Sequence, residues 1–211
     1  MTGRGVFVTG TDTGVGKTIG AACLVRAWGA AYWKPVQTGL ASEPGDTETV
    51  ISLAELPADR WFKPVFALQA PLSPHAAAAL EGVVISLDAF AAPRSEHPLV
   101  VEGAGGVMVP LNATSFMVDL IERLALPVIL VARSTLGTIN HTLLSLMALR
   151  QRRTEIAGII LVGPENIGNR QAIEKFGGTR VIAELPWLGA VDALSVRRIS
   201  SVIPPLAAVL R

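Results

Sequence analysis

Nine consecutive residues carry the sharpest chemistry in this 211-residue chain: Gly10-Thr11-Asp12-Thr13-Gly14-Val15-Gly16-Lys17-Thr18. The apolar run Val6-Phe7-Val8 precedes them, and a helical stretch from Ile19 to Trp28 follows. A strand, a glycine-rich turn and a helix opening on Gly-Lys-Thr form the pattern of a phosphate-binding loop. Glycines let backbone N–H groups approach phosphate oxygens, and the helix N-terminus adds its positive end. Lys17 would reach the outer phosphates, and the Thr18 hydroxyl would take one coordination position on Mg2+. The spacing is irregular: five residues separate Gly10 from Gly16 where the standard loop has four, and Thr11 stands in the place of a glycine.

Other polar residues gather where apolar runs end. Lys34-Pro35 lies inside the expected strand Tyr32–Val36, with Gln37-Thr38-Gly39 after it. A lysine between Trp33 and Val36 is costly without a charged partner. A phosphate or a carbamate would be such a partner; an edge strand facing water is the alternative. Glu102 closes the run Leu99-Val100-Val101 and is followed by Gly103-Ala104-Gly105-Gly106. Phosphate-loop enzymes place a Mg2+-linked carboxylate at such a strand end. Asp46, in Pro44-Gly45-Asp46-Thr47, reads either as a helix N-cap or as a second metal carboxylate, and spacing does not choose between them. Arg133-Ser134-Thr135-Leu136-Gly137 ends a third run. His75, His97 and His141 lack metal-ligand spacing and read as structural. No Gly-x-Ser-x-Gly nucleophile elbow occurs.

The elements that must position these groups alternate. Strands are expected at Val6–Thr9, Tyr32–Val36, Leu99–Glu102, Val128–Ala132, Ile156–Val162 and Arg180–Glu184. Helices are expected at Lys17–Trp28, Thr47–Glu55, His75–Leu80, Leu87–Ala91, Phe116–Leu124, Ile139–Arg152, Arg170–Phe176 and Val202–Leu210. Nearly continuous apolar strands alternating with helices specify an α/β fold, a mainly parallel sheet covered on both faces. Ligands then bind outside the carboxyl ends of the strands.

Composition narrows the partners. Apolar residues make up 50% and charged residues 17%, so much of the surface is uncharged, as a subunit interface would be. A net charge of +1 without a Lys/Arg block recruits neither nucleic acid nor an anionic membrane. The single cysteine, Cys23, forms no internal disulfide, which fits a reducing cytoplasm. No secretory leader opens the chain, and no apolar run reaches the roughly 18 residues of a membrane helix. One domain over residues 1–211 and a cytoplasmic location are the expectations.

Taken in order, the motifs resemble those of the dethiobiotin synthases, P-loop NTPases of three layers around a mainly parallel sheet. The resemblance rests on the loop at Gly10–Thr18, Lys34-Pro35-Val36-Gln37-Thr38-Gly39, Ser73-Pro74-His75, Val101-Glu102-Gly103-Ala104-Gly105-Gly106, Leu136-Gly137-Thr138-Ile139-Asn140-His141 and Glu184-Leu185-Pro186-Trp187-Leu188. The extra residue in the loop is a trait of that family. The resemblance implies an ATP-dependent cyclo-ligase that carboxylates 7,8-diaminononanoate with CO2, through a carbamate and a carbamic–phosphoric anhydride. It implies Lys17, Lys34 and Thr13 as catalytic residues, and Mg2+ held by Thr18, Asp46 and Glu102. It implies nucleotide binding by Gly14, Val15, Gly16, Lys17, Thr18, Ile19, Asp46, Glu102, Gly103, Ala104 and Gly105, with Val162, Gly163, Pro186, Trp187 and Leu188 at the base. Substrate would meet Thr13, Lys34, Thr38 and, from a partner subunit of a homodimer, Gly137, Thr138, Ile139 and Asn140.

Two departures from that family stand out. Its adenine-recognising Asn is missing from Val162-Gly163-Pro164, the nearest being Asn166, and Gly14 replaces a frequent acidic residue. A rival is a cobyrinate-type amidotransferase, which would need a glutaminase domain this length cannot hold. Another is a ParA/MinD-type switch ATPase, which would carry a lysine at the early loop positions occupied by Thr11-Asp12.

Overall fold

The computed structural model describes residues 5–42 and 44–210. The chain runs β1 (Gly5–Gly10), α1 (Lys17–Trp28), β2 (Ala31–Trp33), β3 (Val36–Gln37), α2 (Asp46–Ala54), β4 (Trp61–Phe62), β5 (Phe66–Ala67) and α3 (Pro74–Leu80). It continues β6 (Leu99–Gly106), α4 (Met117–Leu124), β7 (Val128–Arg133), α5 (Thr138–Gln151), β8 (Ile156–Val162), α6 (Ile167–Gly177), β9 (Val181–Leu185), α7 (Ala193–Ile199) and α8 (Leu206–Val209). Seven strands pair in the order β4-β2-β6-β1-β7-β8-β9, all parallel. Strands β3 and β5 form a separate parallel pair.

The continuous apolar strands still alternate between faces. Val6, Val8, Tyr32, Val100 and Ile129 pack with α1, α2 and α7 through Leu24, Val50, Leu53 and Val196. Phe7, Trp33, Val101 and Leu130 pack on the other face with α4 and α5 through Met117, Leu120, Leu146 and Leu149. Val6, Phe7 and Val8 are fully buried. Each such side chain contributes roughly 1.5–3 kcal/mol on burial. A one-residue slip of β1 would exchange the two faces and forfeit the fit on both.

Three expectations needed correction. The strand expected over Tyr32–Val36 breaks after Trp33, because Pro35 has no N–H to pair; its carbonyl instead accepts from Val65 and Phe66, starting the small second sheet. The helix expected over Val202–Leu210 is interrupted by Pro204-Pro205, leaving a 3-10 turn at Ser200–Val202 and the short α8; α7, before it, was not expected. Leu87–Ala91 forms only a 3-10 turn over Leu87–Ala89. The other expected elements form, most with shifted ends, the largest change being β6, which runs on to Gly106 rather than ending at Glu102, followed by α6, which begins at Ile167 rather than Arg170.

Candidate active site

The loop after β1 wraps the start of α1. Gly14 and Gly16 take φ of +68° and +97°, a left-handed backbone that glycine adopts at little cost. A side chain at Gly10 would lie 2.8 Å from Val15 and 2.9 Å from the Asp12 carbonyl. Lys17 is buried, its Nζ donating to the Asp12 carbonyl oxygen at 2.9 Å. Burial and the nearby charge of Lys34 push the Lys17 ammonium down to about 8. An anionic ligand at the loop would favour its charged form again.

The carboxyl ends of β2 and β6 bring the other charges to the same place. Lys34, just past the end of β2 and only 3% exposed, has its Nζ 2.7 Å from Asp46 Oδ2 and 3.2 Å from Glu102 Oε1. It also donates to the Gly103 carbonyl at 3.2 Å. Burial alone would lower Lys34, but Glu102 and Asp46 outweigh it and the net shift is upward. Asp46 is likewise driven up by burial and down by Lys34 and the Thr18 hydroxyl, and ends below its usual value. The lysine is therefore not a solvated edge residue; its partners are two carboxylates of the chain itself.

Asp46 is not the N-cap of α2 but its first helical residue, with Gly45 at the cap. Its backbone N–H is taken by the Gln37 side chain at 3.0 Å, which leaves the carboxylate free to face the loop. Thr18 Oγ1 lies 2.9 Å from Asp46 Oδ1 and 3.0 Å from Glu102 Oε1. Behind them Tyr32 donates its phenol to Glu102 Oε2 at 2.8 Å. Burial, then the neighbouring Glu102 charge, push that phenol well above its usual value, so it remains a donor. Sequence marked Gln37 only as one of the polar residues after Val36 and did not single out Tyr32. Their roles arise only when β2 pairs with β6 and the β3 end meets α2.

Lys17, Thr18, Lys34, Gln37, Asp46 and Glu102 line one cavity of about 770 Å3, together with Thr13, Gly14, Gly16, Ile19, Thr38, Ala104, Gly105, Ser73 and Pro74. The donors at Thr18, Asp46 and Glu102 are all hard oxygens, the chemistry Mg2+ prefers. Among the described residues no group of three or more His, Cys, Asp or Glu is placed to hold a metal ion. Two carboxylates and a hydroxyl suit a Mg2+ whose remaining ligands are water and phosphate oxygens.

The remaining sequence-predicted residues lie apart from this cavity. Val15 is buried beneath the loop, and Gly103 meets the site through its carbonyl. Val162 packs about Gly16, and Trp187, two-thirds exposed, closes on Gly163, so Val162, Gly163, Pro186, Trp187 and Leu188 form a patch beside the loop. Gly137 and Thr138, at the start of α5, line a separate depression of about 80 Å3 with Asp12, Arg133 and His141. Arg133 there donates to the Thr13 carbonyl at 3.2 Å, a second tether on the loop that sequence did not indicate. Ile139 packs inward and Asn140 is exposed. Within one chain these four residues do not reach the cavity.

A parallel sheet, a glycine-rich loop on the first strand and a lysine-threonine pair opening α1 define a P-loop nucleotide-binding protein. The AAA domain family matches residues 4–195. A ParA family ATPase from Chlorobium tepidum TLS shares the fold, with a TM-score of 0.57 at 12% identity, covering 100% of this chain and 99% of that one. The biotin biosynthesis bifunctional protein BioCD of Bordetella avium is 56% identical over 207 residues, 98% of this chain but 44% of its own length. The ATP-dependent dethiobiotin synthetase BioD of Paramagnetospirillum magneticum is 54% identical over 193 residues, 92% of this chain and 93% of that protein. The chain belongs to the dethiobiotin synthetase family.

Proposed function

We propose that the chain is an ATP-dependent dethiobiotin synthase acting in biotin biosynthesis. The observation that carries this reading is the convergence of Lys17, Thr18, Lys34, Asp46 and Glu102 on one cavity in a chain 54% identical to a named dethiobiotin synthetase. One amine of 7,8-diaminononanoate captures CO2 as a carbamate. A carbamate oxygen attacks the γ-phosphorus and ADP leaves, giving a carbamic–phosphoric anhydride. The second amine then attacks the carbonyl carbon, phosphate departs with its bonding electrons, and the ureido ring closes.

Two anions must meet in the second step, so positive charge between them lowers the barrier. Lys17 sits on the loop where the outer phosphates would lie, and Lys34 faces the same cavity from just past the end of β2. Lys34 would hold the carbamate, with Thr38 and Thr13 as hydrogen-bonding groups on the same wall. Thr18, Asp46 and Glu102 would hold Mg2+, which supplies charge neutralisation at the phosphates. Glycine N–H groups from Gly14 to Gly16 and the strand end Gly103-Ala104-Gly105 would surround the nucleotide. The patch of Val162, Gly163, Pro186, Trp187 and Leu188 would take its base.

The reading includes a homodimer in which Gly137, Thr138, Ile139 and Asn140 of one chain bind the substrate carboxylate of its partner. A helix N-terminus suits that anion. Support comes from an uncovered apolar face beside it: Leu136 is fully exposed, Met108 is 53%, Leu144 is 56% and Met147 is 65% exposed. Apolar side chains exposed together in this way mark an interaction surface. No helix among the described residues is long and apolar enough to cross a membrane.

The test is a mass-spectrometric assay of purified protein with the diamine, bicarbonate, Mg2+ and each nucleoside triphosphate in turn. Dethiobiotin with ATP is the expected result. Nucleotide bound without dethiobiotin in any tube would refute the reading.

A further inference from the structure

Glu102 presents its two oxygens to different neighbours. Oε1 faces the cavity, 3.0 Å from Thr18 Oγ1 and 3.2 Å from Lys34 Nζ. Oε2 accepts the Tyr32 hydroxyl at 2.8 Å. This division follows from the sheet. Tyr32 is the register partner of Val100, so its side chain shares the sheet face of Val100 and Glu102, and the phenol reaches one pleat further along β6. Tyr32 and Glu102 are both fully buried, so the phenol has no water to exchange for its carboxylate partner.

A carboxylate with one oxygen held by a buried phenol keeps a lone pair there but is oriented to offer the other oxygen to a cation. Mg2+ demands near-ideal octahedral geometry and takes carboxylate oxygens singly beside water and phosphate, whereas Ca2+ accepts roughly six to eight oxygens and readily takes both from one carboxylate. We infer that Tyr32 sets the cation selectivity of this site, holding Glu102 as a one-oxygen ligand and so favouring Mg2+ over Ca2+. Tyr32 touches neither cation nor substrate; it is a positioning residue. The inference rests on the metal assignment proposed above.

A phenylalanine at position 32 fills the same space and frees Oε2. The test titrates Mn2+ into the full-length protein with ADP, reads bound Mn2+ by electron paramagnetic resonance, and displaces it with Mg2+ or Ca2+. In Tyr32→Phe the ratio of the two displacement constants should move toward Ca2+ by about tenfold, the size typical of losing a hydrogen bond behind a metal ligand. An unchanged ratio, or equal weakening for both cations, overturns the inference while the metal assignment stands. A wild-type protein that binds no Mn2+ with ADP overturns the metal assignment and this inference with it. A second readout needs no substitution, because Tyr32 is the only tyrosine in the chain. Biosynthetic 3-fluorotyrosine labels it alone. Its 19F resonance should hold its metal-free position with ADP and Mg2+ and move when Ca2+ replaces Mg2+; an equal response to both cations overturns the inference.

Discussion

Replacing Lys34 with glutamine removes the cation that pairs directly with both carboxylates of the site. The energetic weight falls on Glu102, because that pair is 3% and 0% exposed at 3.2 Å, while the Asp46 side chain keeps 35% exposure and is screened by solvent. Removing one partner of a buried pair leaves an uncompensated charge, which costs about 3 kcal/mol at the lower end of such measurements. For a chain of this length that corresponds to a melting temperature lower by roughly 6–12 °C. Calorimetry in EDTA reads the loss directly. The double variant Lys34→Gln/Glu102→Gln should recover much of it, since the fully buried carboxylate charge is then gone and Asp46 keeps contact with solvent. The pH dependence has a definite sign. Lys34 is raised above 10.5, so its contribution is complete below that value and lost as pH climbs through the folded one. Asp46 is lowered below 3.8, so its contribution is present above that value and lost as pH falls. The gap between wild type and Lys34→Gln should therefore be flat from about pH 5 to pH 7, below the point near 8 where Lys17, lowered in part by Lys34, begins to titrate, and close at both extremes. A variant within about 0.5 kcal/mol of wild type, or a double variant showing simple additivity, would refute this account of the cluster.

Lys17→Ala should cost roughly 10^2–10^3-fold in turnover, because it removes charge where the phosphates would lie, and wild-type turnover would sink the phosphate-loop assignment. Leu144→Glu with Met147→Glu places two charges on the uncovered face of α5; light scattering should show the dimer falling to monomer, and a wild type already monomeric at micromolar concentration would exclude that interface. Cys23 is fully buried on α1, and burial pushes its thiol up to about 12. At pH 8 only about one part in ten thousand is thiolate. Thiol reagents should therefore label Cys23 only in denaturant, and rapid labelling of the native protein would mean that α1 opens.

The residues of the phosphate loop were legible because their chemistry is local: Gly10 to Thr18 need only the strand before and the helix after. Lys34 was half legible. Its apolar neighbours signalled a buried cation that needed an anion, but sequence pointed to a ligand, and the structure supplies Asp46 and Glu102. Those partners lie 12 and 68 positions away, and only the pairing of β2 with β6 and the docking of α2 bring them in. Pro35 carried the information that β2 must stop, and the expected strand ran through it all the same. Tyr32 could not be distinguished from core, since an aromatic residue on a short apolar strand packs the same way whether or not its hydroxyl has work to do.

The completed cluster also gives a reason for acids in a site proposed to take anions. Lys17 and Lys34 carry two positive charges, and Asp46 and Glu102 cancel them within the same cavity. A floor of zero net charge folds without ligand, because Lys34 lies directly on both acids while Lys17 rests on the Asp12 carbonyl within their field, whereas two lysines without those acids would meet the full desolvation cost. A divalent cation held by the acids would then leave a surplus of positive charge on that floor and free Lys34 from its role as counter-ion. The acids thus let the folded chain carry its two lysines in advance, and their pairing with a cation would release that charge for the phosphate and the carbamate.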